Sequence, residues 1–222
     1  MTVLRRPVPQ SYVAVDLETT GLDPKKDKII EIGAVRVENG VETERFQTMV
    51  NPRRELEPRI TELTGITGEM VEHAPDIGDI IGKFLEFCGN LPLLGHYVIF
   101  DYSFLKRAAV NAGLGFERCG IDTLKLCRHF MPQEEKKSLE AACAWFGIPR
   151  RQRHRALGDA LDAIGLYEKL GQLCKTEEDQ EAFEPKPLIY KVKREQPASK
   201  KQKEDCQAFL KMSQKIFNIS PD

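Results

Sequence analysis

The sequence predicts an α/β domain built around a mixed β-sheet. Up to residue 50, apolar β-prone runs alternate with short breaks, and Asn39-Gly40 between two of these runs is typical of a hairpin turn. Beyond residue 76, short strand-like runs alternate with segments whose apolar residues recur at helical spacing. Strands that give way to alternating strands and helices favour this fold class.

The individual elements follow from the same patterns. The apolar run at residues 12–15 predicts a buried strand, and residues 29–37 and 41–50 predict an antiparallel pair around the Asn-Gly turn. Proline at the first helical position indicates a short helix at 58–63. The remaining expected elements are a strand at 91–94, a strand that ends near Asp122, and helices at 77–88, 102–111, 123–129, 138–145 and 156–173.

Length and composition indicate one sizeable domain, alone or with an appendage. The chain has 222 residues, of which 41% are hydrophobic and 30% are charged, as is usual for a soluble globular protein. It contains neither a run of eighteen apolar residues nor a hydrophobic segment behind the N-terminal arginines. We therefore expect no membrane span, no signal peptide and a cytoplasmic location.

A change of composition near Thr176 divides the chain. We expect a domain at residues 1–175 and an extension at 176–222, which starts acidic, is interrupted by Pro185, Pro187 and Pro197, and continues basic. Residues 203–219 predict an amphipathic helix, which would pack either on the domain or on a partner. Because the net charge is only −1 and the tail is basic, the body is acidic, which argues against a simple phosphate-gripping DNA binder.

Two acidic residues follow the first strand. Asp16 and Glu18 are two positions apart, and side chains at this spacing project from the same face of a strand. Facing carboxylates repel each other and lose hydration when they are buried, so they need a proton, a cation or a catalytic role. One interpretation is half of a divalent-metal site, and the other is a pair of solvated acids at an exposed strand end.

Further acids lie at the ends of later elements. Asp101 follows the fourth strand, and Asp159 opens the last long helix five residues after His154, which lies in a basic loop. Acids that follow strands distant in sequence can converge at one edge of a sheet. Carboxylate oxygens select Mg²⁺ or Mn²⁺ over softer metals, so the pattern predicts a site for these ions.

Three segments together resemble the motifs of a known family. They are Asp16-Leu17-Glu18-Thr19-Thr20-Gly21, the segment from Gly95-His96 to Phe100-Asp101, and His154-Arg155-Ala156-Leu157-Gly158-Asp159. In this order and spacing they resemble the DEDDh 3′–5′ exonucleases, the family that includes the proofreading subunit of the bacterial replicative polymerase. The resemblance covers roughly residues 10–173. It implies an RNase H-like, mixed five-stranded sheet in the order 3-2-1-4-5, with strand 2 antiparallel and helices on both sides.

The resemblance also implies a chemistry, the hydrolysis of phosphodiesters with two Mg²⁺ or Mn²⁺ ions. Asp16 would bridge both ions, Glu18 and Asp159 would hold the ion that carries the attacking water, and Asp101 would serve the second ion. His154 would be the general base, since imidazole titrates near neutral pH. The expected product is a 5′-mononucleotide released from a 3′ end.

The residues that would hold the substrate follow from the same resemblance. Groups at Thr19 and Thr20 would meet the terminal 3′-OH and phosphate. Leu63 and Ile66, in the segment beside the terminal base, would press against that base. The predicted substrate-binding set is Leu17, Thr19, Thr20, Leu63, Ile66, Phe104 and Arg155. Within it, Phe104 either stacks or merely packs. Arg155, like Arg150, Arg151 and Arg153 of the same loop, either holds backbone phosphates or is solvated.

Tyr97 departs from the family pattern, because members commonly have asparagine after the histidine of the second motif. An asparagine there would hold loops or substrate by hydrogen bonds. Its replacement therefore puts the surroundings of the metal ligands in question, although not the ligands themselves.

Three functions stay open at this point. The first is an exonuclease on single-stranded or frayed DNA 3′ ends, in proofreading or repair. The second is RNA 3′-end trimming, as in the RNase T-like and oligoribonuclease-like relatives. The third is a non-catalytic adaptor, against which the clustered acids argue, since a binding module gains nothing from them. A polymerase or the sliding clamp is a possible partner through the extension, and no membrane is expected.

Overall fold

The computed structural model describes residues 8–150 and 153–192. Within these residues, the chain forms six strands and eight helices. The strands are β1 (Tyr12–Thr19), β2 (Ile29–Glu38), β3 (Val41–Met49), β4 (Leu93–Gly95), β5 (Cys119–Asp122) and β6 (Lys186–Pro187). The helices are α1 (Pro58–Thr64), α2 (Gly68–Glu72), α3 (Ile77–Cys88), α4 (Ile99–Asn111), α5 (Thr123–Phe130), α6 (Leu139–Trp145), α7 (Ala156–Leu173) and α8 (Glu177–Phe183).

All six strands form one mixed sheet in the order β3-β2-β1-β4-β5-β6. Strand β2 is antiparallel to both of its neighbours, whereas β4 and β5 run parallel to β1. This confirms the RNase H-like α/β fold and the predicted order of the first five strands. The count of five was one strand short, because β6 has only two residues, one of them proline, and shows no strand pattern in the sequence.

The two faces of the sheet carry separate hydrophobic cores. Val13, Val15 and Leu17 of β1 pack on the side of α3 and α4, whereas Tyr12 and Ala14 pack on the side of α5, α6 and α7. Because side chains alternate along a strand, residues 16 and 18 continue the series of residues 12 and 14. Asp16 and Glu18, near the end of β1, therefore face helix α7.

Part of the predicted extension packs on the domain. Helix α8 buries Phe183 completely, with its ring 5.5 Å from that of Tyr167 and 5.7 Å from that of Phe130. A hydrogen bond of 2.8 Å between His129 and Asp179 joins α5 to α8. Helix α8 thus packs on the domain through Phe183, while the division at residue 175 stays a prediction.

Strand β6 then covers the open edge of β5. It pairs with β5 in antiparallel fashion, and the backbone N–H of Leu188 donates to the carbonyl of Arg118 at 2.9 Å. Covering an edge strand removes a surface on which another chain could pair. The predicted amphipathic helix at 203–219 lies outside the described residues. Within residues 8–150 and 153–192, no helix is long and apolar enough to cross a membrane.

We expect Phe183→Ala to lower the free energy of unfolding by about 3–5 kcal/mol, because it removes a fully buried ring from the core between α7 and α8. Urea unfolding monitored by circular dichroism measures this loss. Ile189→Ala is the control, since its side chain is 75% exposed and its loss should change stability by less than about 0.5 kcal/mol. Equal effects of the two substitutions would contradict the packing of α8.

Candidate active site

Four carboxylates meet at the carboxyl edge of the parallel strands. Asp16 and Glu18 end β1, Asp101 lies in the first turn of α4 just after β4, and Asp159 lies in the first turn of α7. Asp16 is partly exposed, and the other three are buried. The sequence placed Asp101 at a strand end, but α4 begins at Ile99, so the helix fixes this carboxylate.

Asp101 reaches the site from the opposite layer of the fold. Its Oδ1 accepts a hydrogen bond of 3.1 Å from the backbone N–H of Leu17, between the two acids of β1. Helix α4 packs on one face of the sheet, and α7, which carries Asp159, packs on the other. The two layers thus place their acids at one edge.

Glu18, His154 and Asp159 form a group that could hold a metal ion. Each offers one ligand atom, and these atoms lie within 4.8 Å of one another. His154 has a left-handed backbone conformation with φ of 52°, which is uncommon for a residue other than glycine. Helix α7 begins two residues later, so this bend sets the direction from which the imidazole approaches the acids.

The carboxylates raise one another's pKa values. Burial raises the pKa of Asp16 well above its usual value, and the charges of Asp101 and Glu18 raise it further. Burial, followed by the charge of Asp159, raises the pKa of Glu18 to about 8. The pKa of Asp101 is also raised by burial, although the backbone N–H of Leu17 opposes the rise. Such a cluster is at its most stable with protons or cations bound.

One positive side chain already contacts the cluster. The guanidinium of Arg150 forms ion pairs with Asp159 and, at 2.9 Å, with Asp162. Burial raises the pKa of Asp159, and the charge and hydrogen bond of Arg150 oppose this rise. The sequence suggested that arginines of this loop hold phosphates, but in the structure Arg150 and Arg153 pair with carboxylates, the latter with Glu140. Arg151 lies outside the described residues.

Thr19, the last residue of β1, and Thr20 hold the following loop. The hydroxyl of Thr19 donates to the carbonyl of Gly21 at 2.7 Å. The backbone N–H of Thr20 donates to Lys28 at 2.8 Å, and its hydroxyl contacts Asp27 and Arg54. The predicted contact of Thr20 with a substrate would therefore require these hydrogen bonds to be exchanged.

The apolar residues predicted to contact substrate differ in exposure. Leu63, on the last turn of α1, is 56% exposed, whereas Ile66 is fully buried against Ile30 and Val71. Ile66 anchors the segment that presents Leu63. The side chains of Leu17 and Phe104 are also buried, in the core beneath α4. Of this apolar set, Leu63 alone offers a large surface to a base, and Phe104 packs.

Arg155 is bound to a residue that the sequence reasoning missed. The guanidinium donates to both carboxylate oxygens of Glu31 on β2, at 2.9 to 3.3 Å. Glu31 is completely buried, and the residues beside it in β2 are apolar. Because a buried acid needs a partner, an acid in an apolar strand was the sequence signal that could have identified Glu31 as a residue with a role at the site.

Tyr97 stands at the edge of the site in a strained conformation. Its φ is 71°, its side chain is 52% exposed, and its backbone N–H donates to Asp122 at 3.0 Å. Asparagine tolerates this left-handed conformation far better than an aromatic residue does. The backbone conformation of this position therefore favours the asparagine that is common in the family, in addition to any hydrogen bond made by the asparagine side chain.

The fold and the acidic edge define an RNase H-like nuclease class. The profile of a family described as exonuclease, the RNase T family, matches residues 13–167. The chain is 38% identical over 161 residues to the DNA polymerase III subunit epsilon of Aquifex aeolicus, a match that covers 72% of this chain and 80% of the relative. The chain therefore belongs to the exonuclease family, and it is similar to the DNA polymerase III subunit epsilon.

Other relatives are larger proteins. The chain is 40% identical over 149 residues to the DNA polymerase III PolC-type of Clostridium perfringens, a match that covers 67% of this chain and 10% of the relative. The chain thus spans about a tenth of the PolC-type polymerases that it matches.

Solved structures show the same fold. Exonuclease X in complex with 5′ overhanging duplex DNA is 26% identical, with a TM-score of 0.58, and the match covers 78% of this chain and 98% of that one. Exonuclease I is 18% identical, with a TM-score of 0.66, over 78% of this chain and 43% of that one.

The raised pKa of Glu18 predicts a pH-dependent stability. In the fold Glu18 binds its proton up to about pH 8, whereas in the unfolded chain it releases it near pH 4, so its contribution to stability falls as pH rises between these values. Without metal, Glu18→Gln should therefore become progressively more stable than the wild type from pH 5 to pH 8. Urea unfolding in EDTA measures the difference. Glu44→Gln, at an exposed position of β3, is the control, and a difference for Glu18→Gln that does not change with pH would contradict the burial effect.

We expect Tyr97→Asn to raise the free energy of unfolding by about 0.5–1 kcal/mol, because asparagine adopts the left-handed conformation at lower cost. Thermal unfolding compares it with Tyr97→Phe, which keeps the strained aromatic residue and should leave stability unchanged. A loss of stability in Tyr97→Asn would show that the ring makes compensating contacts.

Proposed function

We propose that the chain is a metal-dependent 3′–5′ exonuclease that releases 5′-mononucleotides from DNA 3′ ends. The observation that carries the proposal is the convergence of four carboxylates and His154 at one edge of the sheet. These acids come from three separate elements and raise one another's pKa values, which is an unfavourable arrangement unless cations bind there.

The donor set fits two hard divalent cations. Asp16, Glu18, Asp101 and Asp159 offer carboxylate oxygens, which suit Mg²⁺ or Mn²⁺. Glu18 and Asp159 lie close enough to share one ion, with Asp16 beside Glu18 on the same strand face. When bound, two such ions lower the pKa of a water molecule and stabilise the charge that develops on the reacting phosphate and on the leaving oxygen.

The side chains of the chain itself contribute positioning and proton transfer. His154 lies within reach of the ligand atoms of Glu18 and Asp159, where its imidazole accepts the proton of an attacking water. Leu63 offers an exposed apolar surface for the terminal base, and the loop held by Thr19 lies at the end of β1 beside the acids. Arg150 supplies a positive charge next to Asp159.

The relatives support DNA as the substrate. The epsilon relative is a DNA polymerase subunit, and the exonuclease X structure contains DNA with a 5′ overhang. Association with a polymerase is part of the proposal for the same reason, whereas a contact with the sliding clamp through the extension rests on the sequence alone.

The test is digestion of 5′-labelled oligonucleotides by the full chain with Mg²⁺, Mn²⁺ or EDTA. We expect single-stranded DNA to shorten one nucleotide at a time from its 3′ end, with 5′-mononucleotides as products and no reaction in EDTA. Faster shortening of RNA of the same sequence would overturn the DNA assignment. Binding of DNA without release of nucleotides in Mn²⁺ would favour an adaptor.

Substitutions separate the roles of the site residues. Asp16→Ala and Asp159→Ala should abolish nucleotide release, because each removes a proposed metal ligand. His154→Ala should lower the rate by about 10² to 10⁴ and leave metal binding largely intact, as expected of a general base. Single-turnover rates and Mn²⁺ titrations measure these effects. His73→Ala, on the surface after α2, is the matched control, and near-normal activity of His154→Ala would refute the general-base role.

A further inference from the structure

We infer that Glu31 is a positioning residue of this site, which fixes the N-terminus of α7 so that His154 and Asp159 meet the acids of β1. The inference rests on the proposed function for its catalytic consequence. It assigns a role to a buried acid that is not itself a proposed metal ligand.

Glu31 binds the start of α7 through two kinds of hydrogen bond. Its Oε2 accepts from the backbone N–H of Ala156, the first residue of α7, at 3.1 Å. The same carboxylate accepts from the guanidinium of Arg155, and Gln47 of β3 donates to Oε1 at 3.1 Å. The first N–H groups of a helix have no partner within the helix, and the helix dipole favours negative charge there. Glu31 supplies both the acceptor and the charge from a strand.

Gly33 brings the same helix end into close contact with the sheet. A Cβ atom at position 33 would lie 2.0 Å from the backbone N of Leu157 and 2.2 Å from the carbonyl carbon of Ala156. No side chain fits there unless α7 moves. Since Glu31 and Gly33 are two residues apart on β2, they lie on the same face, where one binds the helix end and the other leaves room for it.

The register of the sheet places Glu31 and Gly33, which together receive the start of α7, next to the acids of β1. Glu31 lies opposite Glu18, and Gly33 lies opposite Asp16, in the antiparallel pair of β1 and β2. Directly opposite residues project to the same face of a sheet. The first turn of α7 is therefore held directly beside the two acids of β1, with His154 two residues before the helix and Asp159 in its first turn.

A purely structural role for Glu31 predicts a different result from a positioning role. A structural residue would change stability and leave the metal site of the folded protein intact. A positioning residue would weaken metal binding and the rate of the chemical step in protein that is still folded, because partners that orient metal ligands commonly change metal affinity or activity by 10–100-fold.

The test compares the wild type with Glu31→Gln in the full chain. Mn²⁺ alone is titrated and followed by electron paramagnetic resonance, which requires neither DNA nor catalysis. We expect the Mn²⁺ dissociation constant to rise 10–100-fold and kcat on single-stranded DNA to fall by a similar factor, with KM for DNA changed less than about threefold.

Ile81→Ala is the matched control for stability. Ile81 is fully buried in the core beneath α3, on the face of the sheet opposite α7. Its substitution therefore lowers stability at a position away from Glu31, Gly33 and the start of α7. At a temperature where both variants are folded by circular dichroism, Ile81→Ala should bind Mn²⁺ like the wild type. If Mn²⁺ binding were equally weaker in both variants, the effect of Glu31→Gln would be explained by lower stability alone, and the positioning role would be overturned.

A second variant tests the inference if Glu31→Gln does not fold. Glu31→Gln leaves the guanidinium of Arg155 without its acid, whereas the double variant Glu31→Gln/Arg155→Gln removes both charges of the pair. The double variant should fold and still bind Mn²⁺ 10–100-fold more weakly, since the acid at Ala156 is gone. Mn²⁺ affinity within threefold of the wild type in folded Glu31→Gln, or in the double variant if the single one does not fold, would overturn the inference.

The outcomes also separate this inference from the proposed function. If the wild type binds Mn²⁺ but releases no nucleotides, the proposed exonuclease activity fails, and the Mn²⁺ titrations still decide whether Glu31 positions the site. If the wild type binds no Mn²⁺, there is no metal site for Glu31 to position, and both fail.

Discussion

The repulsion among buried and partly buried carboxylates at one edge of the sheet is the constraint on which the rest of the site depends. Burial and neighbouring charges raise the pKa values of Asp16, Glu18 and Asp101 together. In the absence of cations, such a cluster weakens the fold at neutral pH, so the surrounding structure must hold it in place. A rigid fold supplies that support, and divalent cations supply the compensating charge.

The fold meets this constraint by bringing acids from opposite layers to one edge. Asp101 is tied to the backbone of Leu17 from the side of α4, whereas α7 is seated on β2 at Glu31 and Gly33. Both attachments are made to backbone atoms, which cannot swing away as long side chains do. The geometry of the site therefore depends on the relative positions of β1, β2 and the two helices.

The arginines around the site illustrate how local charge is used. From the sequence, the arginines of the basic loop before α7 were candidates for binding the backbone phosphates of a nucleic acid. In the structure, Arg150 compensates Asp159 and Asp162, and Arg155 compensates Glu31, so the pairs neutralise acids that the fold has buried. Basic composition near an acidic site thus reflects the electrostatic balance of the site as well as any contact with substrate.

The sequence by itself determined the class of fold, the order of the first five strands and the acids that could share a site. The fold class follows from local patterns, namely apolar periodicity and the Asn39-Gly40 turn, whereas the strand order follows from the resemblance of three short motifs to a known family. Only the tertiary structure decided that Ile66 and Phe104 are buried, that β6 pairs with the edge of β5, and that Glu31 binds the start of α7. The partner of Glu31 lies 125 residues away, and its contact depends on strand register and helix packing, which no local pattern encodes.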